Sequence, residues 1–147
     1  MPRQEFMRLA IEKAREGMAQ GQWPYGACLV KDEEVVACAH NMTRSRMDPT
    51  AHAEIQAIRE GCAKLKSLDL TECELYTTCE PCPMCFSACH RASVSTIIYA
   101  ANLEDSGNAG RRGRIITASQ MKELGNSAIQ LIGGFLRDEA IQLFNVC

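Results

Sequence analysis

The chain has 147 residues, with 16 Lys and Arg against 18 Asp and Glu, a formal net charge of −2 and a pI near 5.9. That balance excludes a strongly basic protein held on nucleic acid mainly by counterion release. A composition of 46% hydrophobic and 23% charged residues excludes a disordered or fibrous chain.

A chain of this length can bury a core of its own, so residues 1–147 read as a single domain. No apolar segment follows Met1-Pro2-Arg3-Gln4-Glu5, and nowhere do about eighteen apolar residues run together. The expectation is a soluble cytoplasmic protein with no membrane partner.

In chain order, Gln4 to Gln20 predicts a helix whose apolar stripe is Phe6, Met7, Ala10, Ile11, Ala14 and Met18. Tyr25–Val30 and Val35–Ala39 read as strands joined by the hairpin turn Lys31–Glu34. Asn41–Met47 reads as polar loop. Asp48-Pro49 reads as a helix start, with a capping carboxylate before a proline at the first helical position, and the helix is expected to run to about Cys62.

Glu74–Thr78 predicts a third strand, Pro83 to Ala92 a helix and Thr96–Ala100 a fourth strand. A glycine-bearing loop leads to a helix at Thr117–Leu124, then a strand at Ala128–Ile132 and a last helix at Phe135–Phe144. After the opening hairpin, strands and helices alternate. That order predicts an α/β protein: a three-layer α/β/α sandwich on a five-stranded mixed sheet, with the last two strands parallel.

Nine cysteines, an odd number, and no signal segment argue against a disulfide framework. Cys28, Cys38 and Cys62 fall inside predicted elements and read as structural, while Cys147 has no expected role in the fold. The run Cys79-x2-Cys82-x2-Cys85-x3-Cys89 is different. Its spacing allows an iron–sulfur cluster and hence a non-catalytic metal or electron-transfer protein. Against that, His90 rather than proline follows the last cysteine, and Pro81 and Pro83 mark a turn entering a helix.

A second arrangement uses fewer of these cysteines. Two predicted helices start with metal-ligand residue types, His52-Ala53-Glu54 and Cys82-Pro83-Met84-Cys85, and each follows a strand. Their starts could meet along one sheet edge, where open α/β sheets place their sites. His52, Cys82 and Cys85 offer one imidazole and two thiolates, a set suited to tetrahedral zinc with a fourth position for water. Glu54 is the carboxylate able to move that water's proton. His-x-Glu with Pro-Cys-x2-Cys is the zinc deaminase signature. Residues two apart do not face each other in a regular helix, so His52 must lie in an irregular first turn.

On Trp23–Ala27, Asn41, Asp48–Glu54, Cys79–Cys85 and Tyr99–Ala101 the chain resembles the cytidine deaminase-like superfamily, nearest to bacterial guanine deaminases and other nucleobase deaminases. The resemblance implies one zinc ion (Zn2+) per chain on His52, Cys82 and Cys85, with Glu54 as the catalytic proton shuttle. It implies hydrolytic deamination: zinc-activated water attacks the ring carbon bearing the amino group, and Glu54 protonates the ring nitrogen and then the departing amine. Asn41 and the backbone N–H of Ala53 are expected to bind the substrate ring. Tyr25 either stacks on that ring or is a core residue at a strand start.

The implied substrate is a free guanine- or cytosine-like nucleobase or a related amino-heterocycle, and the implied assembly is a homodimer. The loop that carries acidic residues in guanine deaminases keeps Glu104 and Asp105 here but continues into Arg111, Arg112 and Arg114, which puts guanine itself in question. The tRNA adenosine deaminases share the core motifs and are the alternative. Arg44, Arg46, Lys64 and Lys66 are the other cations available for a phosphate patch, and the last residues, Gln142–Cys147, add none.

Overall fold

The structure is a computed structural model and describes residues 2–107 and 116–145. Helix α1 (Gln4–Ala19) is followed by strands β1 (Gly26–Lys31) and β2 (Glu34–His40), a short helix α2 (Thr43–Arg46) and helix α3 (Ala53–Leu65). Then come β3 (Cys73–Cys79), α4 (Pro83–Arg91), β4 (Thr96–Ala101), α5 (Ala118–Leu124), β5 (Gln130–Ile132), α6 (Arg137–Ala140) and a 3-10 turn over Ile141–Asn145.

The sheet order is β2-β1-β3-β4-β5. β1 is antiparallel to both β2 and β3, while β3, β4 and β5 run parallel. β2 therefore points the same way as β3, and β1 separates them. Each strand alternates its side chains between two cores. Leu29, Leu75 and Ile97 face Ala53 and Ala57 of α3, Phe86 of α4 and Ala118 of α5. Cys28, Val30, Tyr76 and Ile98 face Phe6, Met7, Ala10, Ile11 and Ala14 of α1, together with Ala140 and Leu143. These are the three layers, and α1 uses the stripe expected of it, with Met18 packed at its margin.

Contact between α1 and β1 is close. A Cβ on Gly26 would stand 2.0 Å from the Ala10 carbonyl oxygen and 2.8 Å from the Ala14 nitrogen, so only glycine fits. The hairpin forms over Asp32 (φ 50) and Glu33 (φ 60), two left-handed residues in succession, as the right-handed twist of a two-residue hairpin demands.

Four expectations are corrected. Asn41–Met47 is not all loop: Asn41 Oδ1 accepts hydrogen bonds from Thr43 N (3.0 Å) and Thr43 Oγ1 (2.8 Å), and one helical turn follows, ending at left-handed Met47. The third helix does not start at Pro49. Asp48 Oδ1 accepts from Thr50 N (2.9 Å) and Thr50 Oγ1 (2.6 Å), closing a local turn, and α3 starts at Ala53 and passes Cys62 to end before left-handed Lys66.

β5 is shorter than Ala128–Ile132, since Lys122 Nζ donates to the Ser127 and Ile129 carbonyls (3.0 and 2.6 Å). The last helix does not start at Phe135. Phe135 N donates to Tyr99 O (3.1 Å) and Leu136 is left-handed (φ 57), which delays α6 to Arg137 and leaves a 3-10 turn behind it.

Candidate active site

Because β2 and β3 run in one direction, the starts of α3 and α4 stand on the same rim of the sheet. His52 is the N-cap residue of α3 (φ −67, ψ 159) and Cys82 the N-cap residue of α4 (φ −69, ψ 169). Neither side chain caps its own helix. Cys85 enters from the first turn of α4 and is fully buried.

The His52 Nδ1 lies 3.7 Å from Cys82 Sγ and 3.4 Å from Cys85 Sγ. Among the described residues the three ligand atoms form one group, all within 4.8 Å of one another. With Zn–S of about 2.3 Å and Zn–N of about 2.1 Å, the S and N ligands of a tetrahedral zinc stand about 3.6 Å apart. Donor set and spacing both fit zinc.

Cys79 and Cys89 lie outside this group, which corrects the four-cysteine cluster reading. Cys79 Sγ donates instead to Asn102 O (3.6 Å), Cys89 is fully buried in the core, and burial pushes both thiols up. A run spaced for four ligands delivers two because Cys79 still belongs to β3 and points to the α1 side of the sheet.

The electrostatics of the cluster are polarised. A hydrogen bond from the Cys85 thiol and contact with His52 outweigh burial and pull Cys82 down to about 4. The same Cys82–Cys85 bond, with burial added, pushes Cys85 well up, and Cys82 raises His52. Glu54, one residue into α3, is 6% exposed, and burial lifts its carboxyl to about 7. The geometric objection to His52 and Glu54 acting together is removed, because His52 precedes the helix with extended backbone.

The remaining expected residues stand on the same rim. Asn41 is buried just past β2, its backbone N donating to Tyr25 O (3.0 Å) and its Oδ1 held by Thr43. Ala53 opens α3, so its N–H belongs to the first-turn donors that a helix cannot pair internally. Tyr25 is half-buried at the start of β1, in contact with both cores, its ring 6.0 Å from that of Phe144.

Asp105 forms a bidentate ion pair with Arg137 (2.7 and 2.6 Å), a partner for which the sequence carries no local signal. Arg111, Arg112, Arg114 and Cys147 lie outside the described residues. Glu80, to which the sequence motifs assign no role, is a buried side chain whose carboxylate accepts from Leu103 N (3.2 Å) and Ala118 N (2.8 Å).

A family model for the cytidine and deoxycytidylate deaminase zinc-binding region matches residues 1–101. The chain belongs to that family, and it is a zinc-dependent hydrolytic deaminase. Guanine deaminase of Bacillus subtilis (strain 168) is 42% identical over 111 residues, 75% of this chain and 71% of that protein. The tRNA-specific adenosine deaminase of Aquifex aeolicus (strain VF5) is 40% identical over 101 residues, 69% of this chain and 67% of that protein. The solved guanine deaminase from Nitrosomonas europaea superimposes with a TM-score of 0.84 at 28% identity, over 99% of this chain and 84% of that one.

Proposed function

We propose that this chain removes the exocyclic amino group of a free nucleobase, guanine- or cytosine-like, or of a related amino-heterocycle, and releases ammonia. The observation that carries the reading is the buried Glu54 carboxyl at the start of the helix whose N-cap is His52, beside Cys82 and Cys85. His52, Cys82 and Cys85 hold one zinc per chain. Zinc held there supplies a Lewis acid that brings the pKa of a bound water to about 7.

Glu54 moves the protons. A carboxyl poised near neutrality by burial accepts one proton of the attacking water and passes it to the ring nitrogen, then takes the second proton from the added hydroxyl and passes it to the amine, which leaves as ammonia. Asn41 orients the ring: Thr43 fixes its Oδ1, which leaves Nδ2 as the donor to a ring acceptor. The Ala53 N–H binds a ring polar atom, and Tyr25, one residue before β1, stacks on the ring.

Residues 1–147 act as one domain, the protein works in the cytoplasm, and it assembles as a homodimer. Among the described residues no helix is long and apolar enough to cross a membrane. A single ~16 kDa species in sedimentation at micromolar concentration would overturn the dimer.

A second reading, deamination of adenosine in tRNA, draws on the 40% identity to the Aquifex enzyme and on exposed Arg44 and Arg46 next to Asn41. Ammonia release from zinc-loaded protein over a panel of bases, nucleosides and unmodified tRNA separates the two. Release from one free base and no salt-sensitive gel shift with tRNA supports the first reading. Release from tRNA alone replaces it with the second.

A further inference from the structure

Glu80 lies two residues before Cys82, where the chain leaves β3 for the turn into α4. Its backbone is pinned to the end of the neighbouring strand, Glu80 N donating to Ala101 O (2.7 Å). Its side chain is 8% exposed, and the two carboxylate oxygens serve different segments. Oε1 accepts from Leu103 N (3.2 Å), in the loop that leaves β4, and Oε2 accepts from Ala118 N (2.8 Å), the first residue of α5.

Removing a carboxylate from water is costly, and hydrogen bonds to it offset part of that cost. Among the described residues no basic side chain joins those bonds, and two backbone N–H groups from distant parts of the chain provide the compensation. A glutamine offers one oxygen and could serve one of these segments. A carboxylate serves both at once.

The loop at Leu103 is tied to the fold by other contacts as well. Asn102, next to Leu103, takes the Cys79 thiol on its carbonyl, and Asp105 of the same loop is held by Arg137. Pro81 and Pro83 stiffen the few bonds between Glu80 and the ligand cysteines Cys82 and Cys85. A change in the cysteine turn is therefore passed to Leu103 and Ala118 through one rigid junction.

We infer that Glu80 is a positioning residue that couples occupation of the metal site to the protection of the Leu103 and Ala118 amides. The inference rests on the zinc reading of His52, Cys82 and Cys85. It assigns Glu80 no contact with substrate or metal.

The test is amide hydrogen exchange on the full chain, zinc-loaded and zinc-stripped, for the unaltered protein, Glu80→Ala and Glu80→Gln. In the unaltered protein zinc slows exchange over 82–86 and also at Leu103 and Ala118. In Glu80→Ala the slowing over 82–86 persists and the slowing at Leu103 and Ala118 is lost, by about tenfold or more, as expected for removing a hydrogen bond to a charged group.

Glu80→Gln keeps one acceptor and loses the zinc effect at one of the two amides; it serves alone if the alanine variant does not fold. A zinc effect at Leu103 and Ala118 that survives both substitutions, or that is absent from the unaltered protein while 82–86 responds, overturns the coupling. No response over 82–86 in the unaltered protein overturns the zinc reading itself and the coupling with it.

Discussion

His52 and Cys82 occupy the same station on two different helices. Each is an N-cap residue, their backbone angles agree to within 2° in φ (−67 against −69) and 10° in ψ (159 against 169), and neither side chain caps the helix it begins. N-caps are normally Ser, Thr, Asp or Asn, whose oxygens satisfy a first-turn N–H. Here both caps turn away from their helices and toward each other, so helix stability has been given up for a metal site.

That exchange can be reversed by one substitution. Cys82→Ser restores a capping hydroxyl to α4 and removes a thiolate ligand. The metal-free variant should be more stable than the metal-free parent by about 0.5–1 kcal/mol, the usual worth of an N-cap. With zinc present the order should invert, because the parent alone gains binding energy, about 2.7 kcal/mol at free zinc a hundredfold above its dissociation constant. Thermal melts with and without chelator read both. A metal-free Cys82→Ser no more stable than the parent rejects the capping argument.

Glu54→Gln keeps the size of the side chain and removes its ability to take a proton. Ammonia release should fall about 10²–10⁴-fold, the usual contribution of a general acid–base group. Zinc content by atomic absorption should stay at one per chain, since Glu54 is not among the three clustered ligand atoms. Undiminished turnover in this variant would break the mechanism.

Gly26→Ala should cost about 1–3 kcal/mol, the range for overpacking a core. The atoms a Cβ would meet at 2.0 and 2.8 Å are backbone atoms of α1 and cannot rotate aside. Gly26 N also donates to Thr78 Oγ1 (3.2 Å), so a shift of β1 disturbs the rim next to β3. The midpoint of thermal unfolding should drop by about 2–4 °C for each kcal/mol. An unchanged melt would mean that α1 moves freely on the sheet.

The Asp105–Arg137 pair sets an acid limit. Its hydrogen bond from Arg137 lowers the Asp105 carboxyl to about 2, below its unfolded value of about 3.9. A depressed carboxylate contributes stability that is present above the unfolded value and lost as pH falls through the folded one. Arg137→Ala should therefore be less stable than the parent at neutral pH, and the difference should close between about pH 4 and pH 2. Denaturant midpoints for both proteins across that range test it; a gap that is constant with pH assigns the effect to packing.

The sheet, its strand types and the metal cluster were legible in the sequence because each rests on local pattern. Alternation marks the strands, and two short motifs carry His52, Glu54, Cys82 and Cys85. What misled was local chemistry with two uses. Asp48-Pro49-Thr50 is spelled like a helix start, yet the Asp48 carboxylate closes a turn with Thr50 and hands the N-cap to His52.

Long-range uses left no trace at all. Glu80 reaches Ala118 across 38 positions and Asp105 reaches Arg137 across 32, and no spacing rule joins such pairs. The choice of Cys82 and Cys85 over Cys79 and Cys89 also needed three dimensions, since it depends on where β3 ends and α4 begins.

The reversed strand β1 runs from one rim of the sheet to the other, and the two rims differ in tolerance. Tyr25 and Gly26 stand at the chemical rim, and roughly 17 Å along the six-residue strand the chain turns over Asp32 and Glu33. Nothing in the proposed chemistry reaches that far turn. It is the natural place to graft a tether, a fluorophore or a short insertion, and a library randomised there should retain turnover while one randomised at Tyr25–Gly26 should not.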